Sequence, residues 1–599
     1  MLEKTNKVIK SARSKALVSA VVVICAQGSA LAGQACEGGK NGEKTLISAV
    51  QGAGKSSPLE GKQVSVKAVV SATMPGLGGY YLLEEKSDWD SNLASSEGVF
   101  VADKSNKPKV GDVVALSAKV SEISELTHLE EVKHFAVCSS NASVEYTQLS
   151  LPFSDSLERF EGMPIHLTQE LTISDTYHLA RFGQMIVSNG RLFQSTNLER
   201  PGPKAQKIAK RNRKNQIIID DGSAKENPKL VKAPDHLYRT GNTVNGVKGV
   251  LHYDFGKFMI EPTVEYKIHE ANPRKSGPKI TKRGNVRVAA FNVLNYFNGD
   301  GKGGGFPTRR GASDTKELER QAAKIIAAMK VMDADILGLM EVENDGYGKL
   351  SAIADITNRL NKATGDNYDY VRPQSGPLGD ASISVGIIYN TDKVSAVGKP
   401  AILTQAPFGV KSRMPIAQTF TAKGGNDAFT VVVNHFKSKG SCPKGKGNIN
   451  GNQRDGQSCW NPLRVDSAKK LLAWLDTAPT GVDDKDILII GDLNANAKED
   501  PIIAIEQRGY NNLIEKFNGK YAYSFVFRAE AGYLDHALSS MSLTPKVLDT
   551  KDWHINADEM RLTDYNMERK SKAEQKALYK ADAFRSSDHD PVIVELQLD

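Results

Sequence analysis

Asp486 to Ala495 reads DILIIGDLNA. Four apolar residues in unbroken succession, three of them isoleucine, run into Gly491-Asp492-Leu493-Asn494. The run is too short for a buried helix and is bounded by a turn residue, so it predicts a strand covered on both faces. The same texture recurs in VRVAAFNVLN (286–295), ADILGLMEV (334–342), ISVGIIYN (383–390), FTVVVNHF (429–436), YLDHALSS (533–540) and PVIVELQL (591–598). Helical stretches alternate with these runs. The clearest is TKELERQAAKIIAAMKVM (315–332), with apolar residues at spacings of three and four. Apolar strands interleaved with helices imply sheets buried under helical layers. Residues 285–599 are therefore predicted to form one large two-sheet α/β domain.

Upstream the texture differs. From Gly61 to Val137 short runs such as VSVKAVVSA, GYYLLEE and VVALSAKVSEI alternate in hydrophobicity and break at turn residues, which argues for a small barrel or sandwich. The layout recurs after Leu157. VGDVVALSAKVSEISELTHLEE near Val110 is echoed by TGNTVNGVKGVLHYDFGKFMIEP near Thr240, each reading as a turn glycine, a strand and a returning hairpin. Two mostly-β domains resembling OB-fold barrels are expected at 33–150 and 151–272. A Pro-, Gly- and Lys-rich linker follows at 273–284.

The first residues carry Lys4, Lys7, Lys10, Arg13 and Lys15, then the apolar run Ala16–Ala26 and Ala30-Leu31-Ala32. That succession is the pattern of a secretory signal peptide over 1–32, and the apolar run is too short to span a bilayer. The expected product is secreted through the periplasm to the exterior, monomeric and free of membrane after cleavage. Cys36, Cys138, Cys442 and Cys459 remain, an even number that suits disulfides in an exported chain. Four cysteines allow three pairings, of which position favours Cys36–Cys138 and Cys442–Cys459. The 599-residue length calls for several domains. Hydrophobic content of 40% with 25% charged residues excludes a disordered chain, whereas the net charge of +8 is compatible with a polyanionic partner without requiring one.

Polar motifs stand at the ends of the predicted C-terminal strands: Asn292, Glu341, Asn434-His435, Asp492 with Asn494, Asp535, and Ser587-Asp588-His589. Singly, each is an ordinary turn or strand cap. Together and in this order they resemble the endonuclease/exonuclease/phosphatase superfamily, which includes deoxyribonuclease I. The resemblance covers 285–599 and looks closest to bacterial secreted nucleases with OB-like modules before the catalytic domain. It implies a four-layer α/β sandwich of two sheets and hydrolysis of phosphodiester bonds in extracellular DNA, with RNA as a second substrate.

Phosphodiester cleavage needs an activated water and neutralised phosphoryl charge, which a hard divalent cation with oxygen ligands supplies. Glu341 is the natural carboxylate ligand, Asn292 offers an amide oxygen beside it, and Asp588 could support them. The lack of a His/Cys cluster favours Mg²⁺, with Ca²⁺ or Mn²⁺ as alternatives, over zinc. His589 is the leading general acid/base. The resemblance assigns Asp535 to orienting its ring, Asp492 to the attacking water and Asn494 to a hydrogen bond with the phosphate. His435 matches a second histidine of the deoxyribonuclease-I branch. His536 has no matching role and is read as structural.

Lys437, Lys439, Lys444, Lys446, Arg454 and Arg464 face only Asp455 between positions 437 and 464, a local balance of +5. This basic loop follows His435 directly and suits phosphate-backbone contacts, with Lys437 and Lys439 nearest the site and Arg413 as a further candidate. NGDGKGGGFPTRRG (298–311) is Gly-rich but lacks the spacing of a P-loop. DWDSNLASSEG from Asp88 fails the EF-hand pattern. Two other readings stay open at this point: a phosphodiesterase of the same fold acting on a non-nucleic-acid ester, and a non-catalytic nucleic-acid-binding protein.

Overall fold

The computed structural model describes Cys36 and residues 44–90, 92–228, 235–299, 305–445 and 447–599. The expected signal peptide at 1–32 and Lys446 lie outside these residues.

The N-terminal region is mostly β. Five strands between Gln63 and Ser139 close into a barrel, in which Gln63–Met74 pairs with both Gly79–Leu83 and Val113–Ile123. Alternate residues such as Val66, Ala68, Val70, Leu82, Val99 and Leu116 fill its interior. Cys36 and Cys138 are bonded. Where the sequence echo predicts a second barrel, nine of the ten strands from Thr147–Leu149 to Lys267–His269 form one sheet, and the tenth, Leu192–Phe193, pairs elsewhere. The echo itself is local. Val113–Ile123 with Leu126–Ser139, and Val247–Asp254 with Lys257–Pro262, are both antiparallel hairpins. Each turns through two left-handed residues, Ser124-Glu125 and Phe255-Gly256, the geometry of a tight hairpin. A shared hairpin does not determine how many strands the sheet around it collects.

The C-terminal half is an α/β sandwich of two six-stranded sheets. In one, Val286–Tyr296 and Ile336–Glu343 form a central parallel pair flanked by antiparallel neighbours. The other repeats the arrangement with Ala428–His435 and Ile487–Asp492, flanked by the antiparallel strand Asp535–Ser540. The sheets meet closely at Gly338, where a Cβ would lie 2.6 Å from Ile490 Cδ1 and 2.8 Å from Val433 Cγ2. The apolar core between them holds Phe291, Leu339, Val431 and Ile490, all buried. Helices cover the outer faces. Thr315–Met332 spans the residues its periodicity predicts and is capped by Asp314, whose side chain accepts from Glu317 N at 2.8 Å. Asn461–Leu475 packs Leu471 and Leu472 against the other sheet.

The predicted linker contains neither helix nor strand, yet it is strapped to the sandwich. Arg274 pairs with Glu559 at 2.5 Å, Thr281 donates twice to Asp549 Oδ2 at 2.7 Å, and Trp553 Nε1 donates to Lys275 O. The nine-stranded region docks on the same body. Its strand Leu192–Phe193 pairs in parallel with Glu530–Gly532 of the sandwich, which in turn pairs with Phe525–Phe527. Arg239, fully buried, forms ion pairs with Asp558 and Glu559, and Arg191 meets Asp558 at 2.9 Å.

Candidate active site

Each sheet delivers its polar residues to the same edge, because the central pairs are parallel and the flanking strands run opposite to them. Residues at the C-terminal ends of the parallel strands therefore lie beside residues at the start of the antiparallel ones. In the second sheet this makes a literal row, in which His435 is register partner of Asp492, and Asp492 of Asp535. Gly491 makes the row possible. Its φ of 124° is left-handed, and a Cβ there would sit 2.1 Å from Asn434 O.

The first sheet reaches the edge through irregularity. Glu341 has a φ of 65° and interrupts the register between Met340 and Val342, a bulge that turns its carboxylate out of the ladder. Asn292 precedes a second register shift that ends at Tyr296. Glu341 Oε2 accepts from Asn295 N at 3.1 Å, and buried Asn292 Oδ1 accepts from Leu294 N.

A cleft of about 720 Å³ opens at this edge, and Glu341, Arg413, His435, Asp492, Asn494 and His589 all line it. His589 Nδ1 donates to Asp535 Oδ2 at 2.7 Å, while the same oxygen accepts from Ser524 Oγ at 2.6 Å. Phe525 stacks on the His589 ring at 4.6 Å. Burial alone would discharge this imidazole, but Asp535, Asp588 and Asp492 outweigh it and hold its pKa well above the usual histidine value. His435 is opposite in character. Burial and the neighbouring Arg413 hold it well below the ordinary value, with Nε2 at 3.4 Å from Asp492 Oδ2. Burial pushes Asp492 up to about 7 against the pull of His589. Two histidines whose pKa values are driven in opposite directions share one cleft.

Residues 289–589 match the Endonuclease/Exonuclease/phosphatase family, and residues 138–272 match a Domain of unknown function (DUF8508). The first match spans half of the chain. The chain belongs to the endonuclease/exonuclease/phosphatase family. Among solved structures, a family protein from Bacteroides thetaiotaomicron is 20% identical, over 52% of this chain and 98% of its own, with a TM-score of 0.34. A mannosyl-6-phosphatase from Bacteroides thetaiotaomicron is 18% identical over 52% and 99%, TM-score 0.33. D. rerio TDP2 complexed with a single-strand DNA product is 14% identical over 52% and 97%, TM-score 0.30. Among curated proteins none matches this sequence.

Members of this family are hydrolases of phosphoester bonds and are generally dependent on a divalent metal. Among the described residues, no three His, Cys, Asp or Glu side chains are grouped to hold an ion unaided. Glu341 nevertheless stands half-buried in the cleft, its pKa raised by desolvation and by the charge of Asp588, and the buried amide nitrogen of Asn292 has no hydrogen-bond partner. Two carboxylates and an amide oxygen fit a hard cation such as Mg²⁺, which keeps several waters and takes few protein ligands beside substrate phosphate oxygens.

Several expected binding residues stand differently. Lys439 lines the cleft, but its ammonium pairs with buried Glu499 at 2.5 Å. Arg464 is fully buried and donates to the carbonyls of Lys437, Gln457 and Cys459, so it props the loop from within. Asn494 donates to Phe436 O at 3.1 Å, which occupies an amide hydrogen expected for phosphate. Lys437 remains at the cleft, folded back on Ser438 and Gly440. The Cys442–Cys459 bond closes this loop. His536 donates from its buried ring to Ala495 O at 2.7 Å, away from the cleft.

Sequence reasoning missed Arg309 and Arg310, which line the cleft from the Gly-rich loop after the Asn292 strand. The adjacent pair of arginines there was the available signal. It also missed Gln194, Phe525, Phe527 and Glu530. Gln194 comes from the other region of the chain, and only the strand pairing reveals it.

Proposed function

We propose that this chain is a secreted, divalent-metal-dependent nuclease that hydrolyses phosphodiester bonds of extracellular DNA, with RNA as a second substrate. One observation carries the reading: a buried His589–Asp535 pair and a buried His435–Asp492 pair face one cleft with Glu341, and that cleft is rimmed by Arg309, Arg310, Arg413 and Lys437. Groups whose environments drive their charge states apart are suited to opposite proton-transfer roles. His589, held protonated by Asp535, donates to the departing oxygen. Neutral His435 with Asp492 orients and deprotonates the attacking water. Glu341, Asn292 and Asp588 would hold the divalent cation, which when bound would supply electrostatic stabilisation of the phosphoryl charge. Arg413 and Lys437 place phosphate in the cleft. The cationic rim favours a polyanionic chain over a small neutral-headed ester. We read the N-terminal barrel as an OB-like module, and the two disulfides as suited to an oxidising, extracellular setting.

The test is incubation of the purified protein with supercoiled plasmid and end-labelled linear DNA, with and without EDTA. Nicked or shortened product that disappears with EDTA is the expected result. Intact DNA in the presence of Mg²⁺, Ca²⁺ and Mn²⁺ would overturn the assignment.

A further inference from the structure

The helix Pro203–Lys214 (PKAQKIAKRNRK) carries six basic side chains and no acidic one. Ala205 and Asn212 are buried against the protein, and all six basic residues are exposed. Among the described residues Lys204, Lys207, Lys210 and Arg211 take part in no ion pair. So dense a like-charged surface is self-repelling and is favoured by a polyanion laid across it.

Its position gives the charge a direction. Asn212 Nδ2 donates to Phe193 O and to Glu530 Oε1, both at 2.9 Å. Glu530 and Gln194 line the catalytic cleft. The helix's Gln206, Ala209 and Arg213 then face Asn452, Arg454, Ser458 and the acidic Asp455 of the disulfide loop across a second depression of about 410 Å³, where the two arginines outnumber the one carboxylate. The first cleft is bordered by Lys437–Ser441 of that same loop. The short preceding helix Ser195–Leu198 is anchored to the sandwich, since Thr196 Oγ1 donates to Glu499 at 2.7 Å and Lys498 N donates to Thr196 O. The basic helix is thus held rigidly beside the cleft, with the loop shared between them.

We propose that the helix Pro203–Lys214 and the facing disulfide loop form a second phosphate-backbone site, which carries nucleic acid away from the catalytic cleft and makes the non-catalytic β region part of the substrate-binding face. This rests on the nuclease reading above. Backbone contacts of this kind fix position without reading sequence, so the site adds affinity and processive hold rather than base specificity.

The experiment uses the full chain carrying Glu341→Gln, so that DNA is bound without being cut. Binding of a long labelled duplex is followed by fluorescence anisotropy across a salt series, with and without Lys204→Ala, Lys207→Ala, Lys210→Ala, Arg211→Ala, Arg213→Ala and Arg454→Ala together. Circular dichroism verifies the fold. The expected result is weaker binding, with the log–log salt slope reduced by about 0.9 for each phosphate that is no longer neutralised. Replacing the lysines by arginine should preserve the slope. An unchanged slope and affinity would overturn the proposal and leave the helix a solvated surface, with the nuclease reading intact. If the Glu341→Gln protein alone shows no salt-dependent binding of any nucleic acid, the underlying reading fails and takes this one with it.

Discussion

Glu341 is the acidic group that a strained backbone, with φ of 65°, delivers into the cleft. Glu341→Gln keeps the shape and removes the charge, so cleavage should fall below detection at low Mg²⁺ while thermal unfolding barely moves. Normal rates at low Mg²⁺ would refute its assignment as principal ligand. His589→Ala removes the ring proposed as proton donor, which Asp535 orients. Such a group contributes about 10²–10⁴-fold, so turnover should drop by at least that lower factor with DNA binding retained. His435→Ala should be similarly impaired. His536→Ala should be mild in rate, because that ring hydrogen-bonds a backbone carbonyl away from the cleft. A folded His589→Ala protein with near wild-type turnover would refute the mechanism. Lys437 supplies a pH test. Burial first, then Arg413 and Arg464, lowers its pKa to about 8. The charged form that attracts phosphate is therefore present below that pH and lost above it. KM for DNA should rise between about pH 7 and 9. Lys437→Arg, which stays charged, should flatten that rise, as steady-state kinetics at fixed ionic strength will show.

At the scale of elements, the sandwich was legible because its strands are continuous apolar runs and its polar motifs fall at their ends. Periodicity alone located the helix Thr315–Met332. What escaped is what no local pattern encodes. The lateral row His435, Asp492, Asp535 depends on register between strands separated by scores of residues. The bulge at Glu341 depends on its partner strand. The disulfide loop shows the limit of charge counting, because a tally of basic residues weighs Arg464 and Lys437 alike, whereas one is a buried prop and the other rims the cleft. The distinction has a consequence. Arg464→Leu would strip the carbonyls of Lys437, Gln457 and Cys459 of their donor, at about 1–3 kcal/mol for each buried acceptor left unpaired. The loop should then become sensitive to limited proteolysis near Lys444 even with Cys442–Cys459 intact. Unaltered protease resistance would show that the disulfide alone holds it.

Across the whole molecule, the least foreseeable feature is that the β region is built into the catalytic body. Leu192–Phe193 extends the hairpin that bears Phe525 and Phe527, and Gln194 Nε2 donates to Phe527 O at 3.1 Å. The wall that stacks on His589 is thereby completed by a segment more than three hundred residues earlier in the chain. The bolt holding these parts together is Arg239. Its guanidinium meets Glu559, Asp558 and His554 O in a fully buried setting, beside Thr240, which donates to Asp558 Oδ1 at 2.6 Å. Against the opposing effect of burial, Arg191 and Arg239 hold Asp558 in its charged form. Arg239→Ala would leave two buried carboxylates short of a counter-charge, and breaking such a cluster typically costs about 3–5 kcal/mol. Arg191 and Arg274 still reach the same acids, so the sandwich itself should stay folded. Calorimetry of Arg239→Ala should therefore show a transition split or lowered for the β region, with the sandwich transition nearly in place. The catalytic consequence should follow the geometry. With the Leu192–Phe193 strand released, the Phe525 hairpin loses its outer neighbour, and turnover should fall although no residue at the reacting phosphate has changed. A single unshifted transition with full activity would show that the strand pairing needs no such bolt.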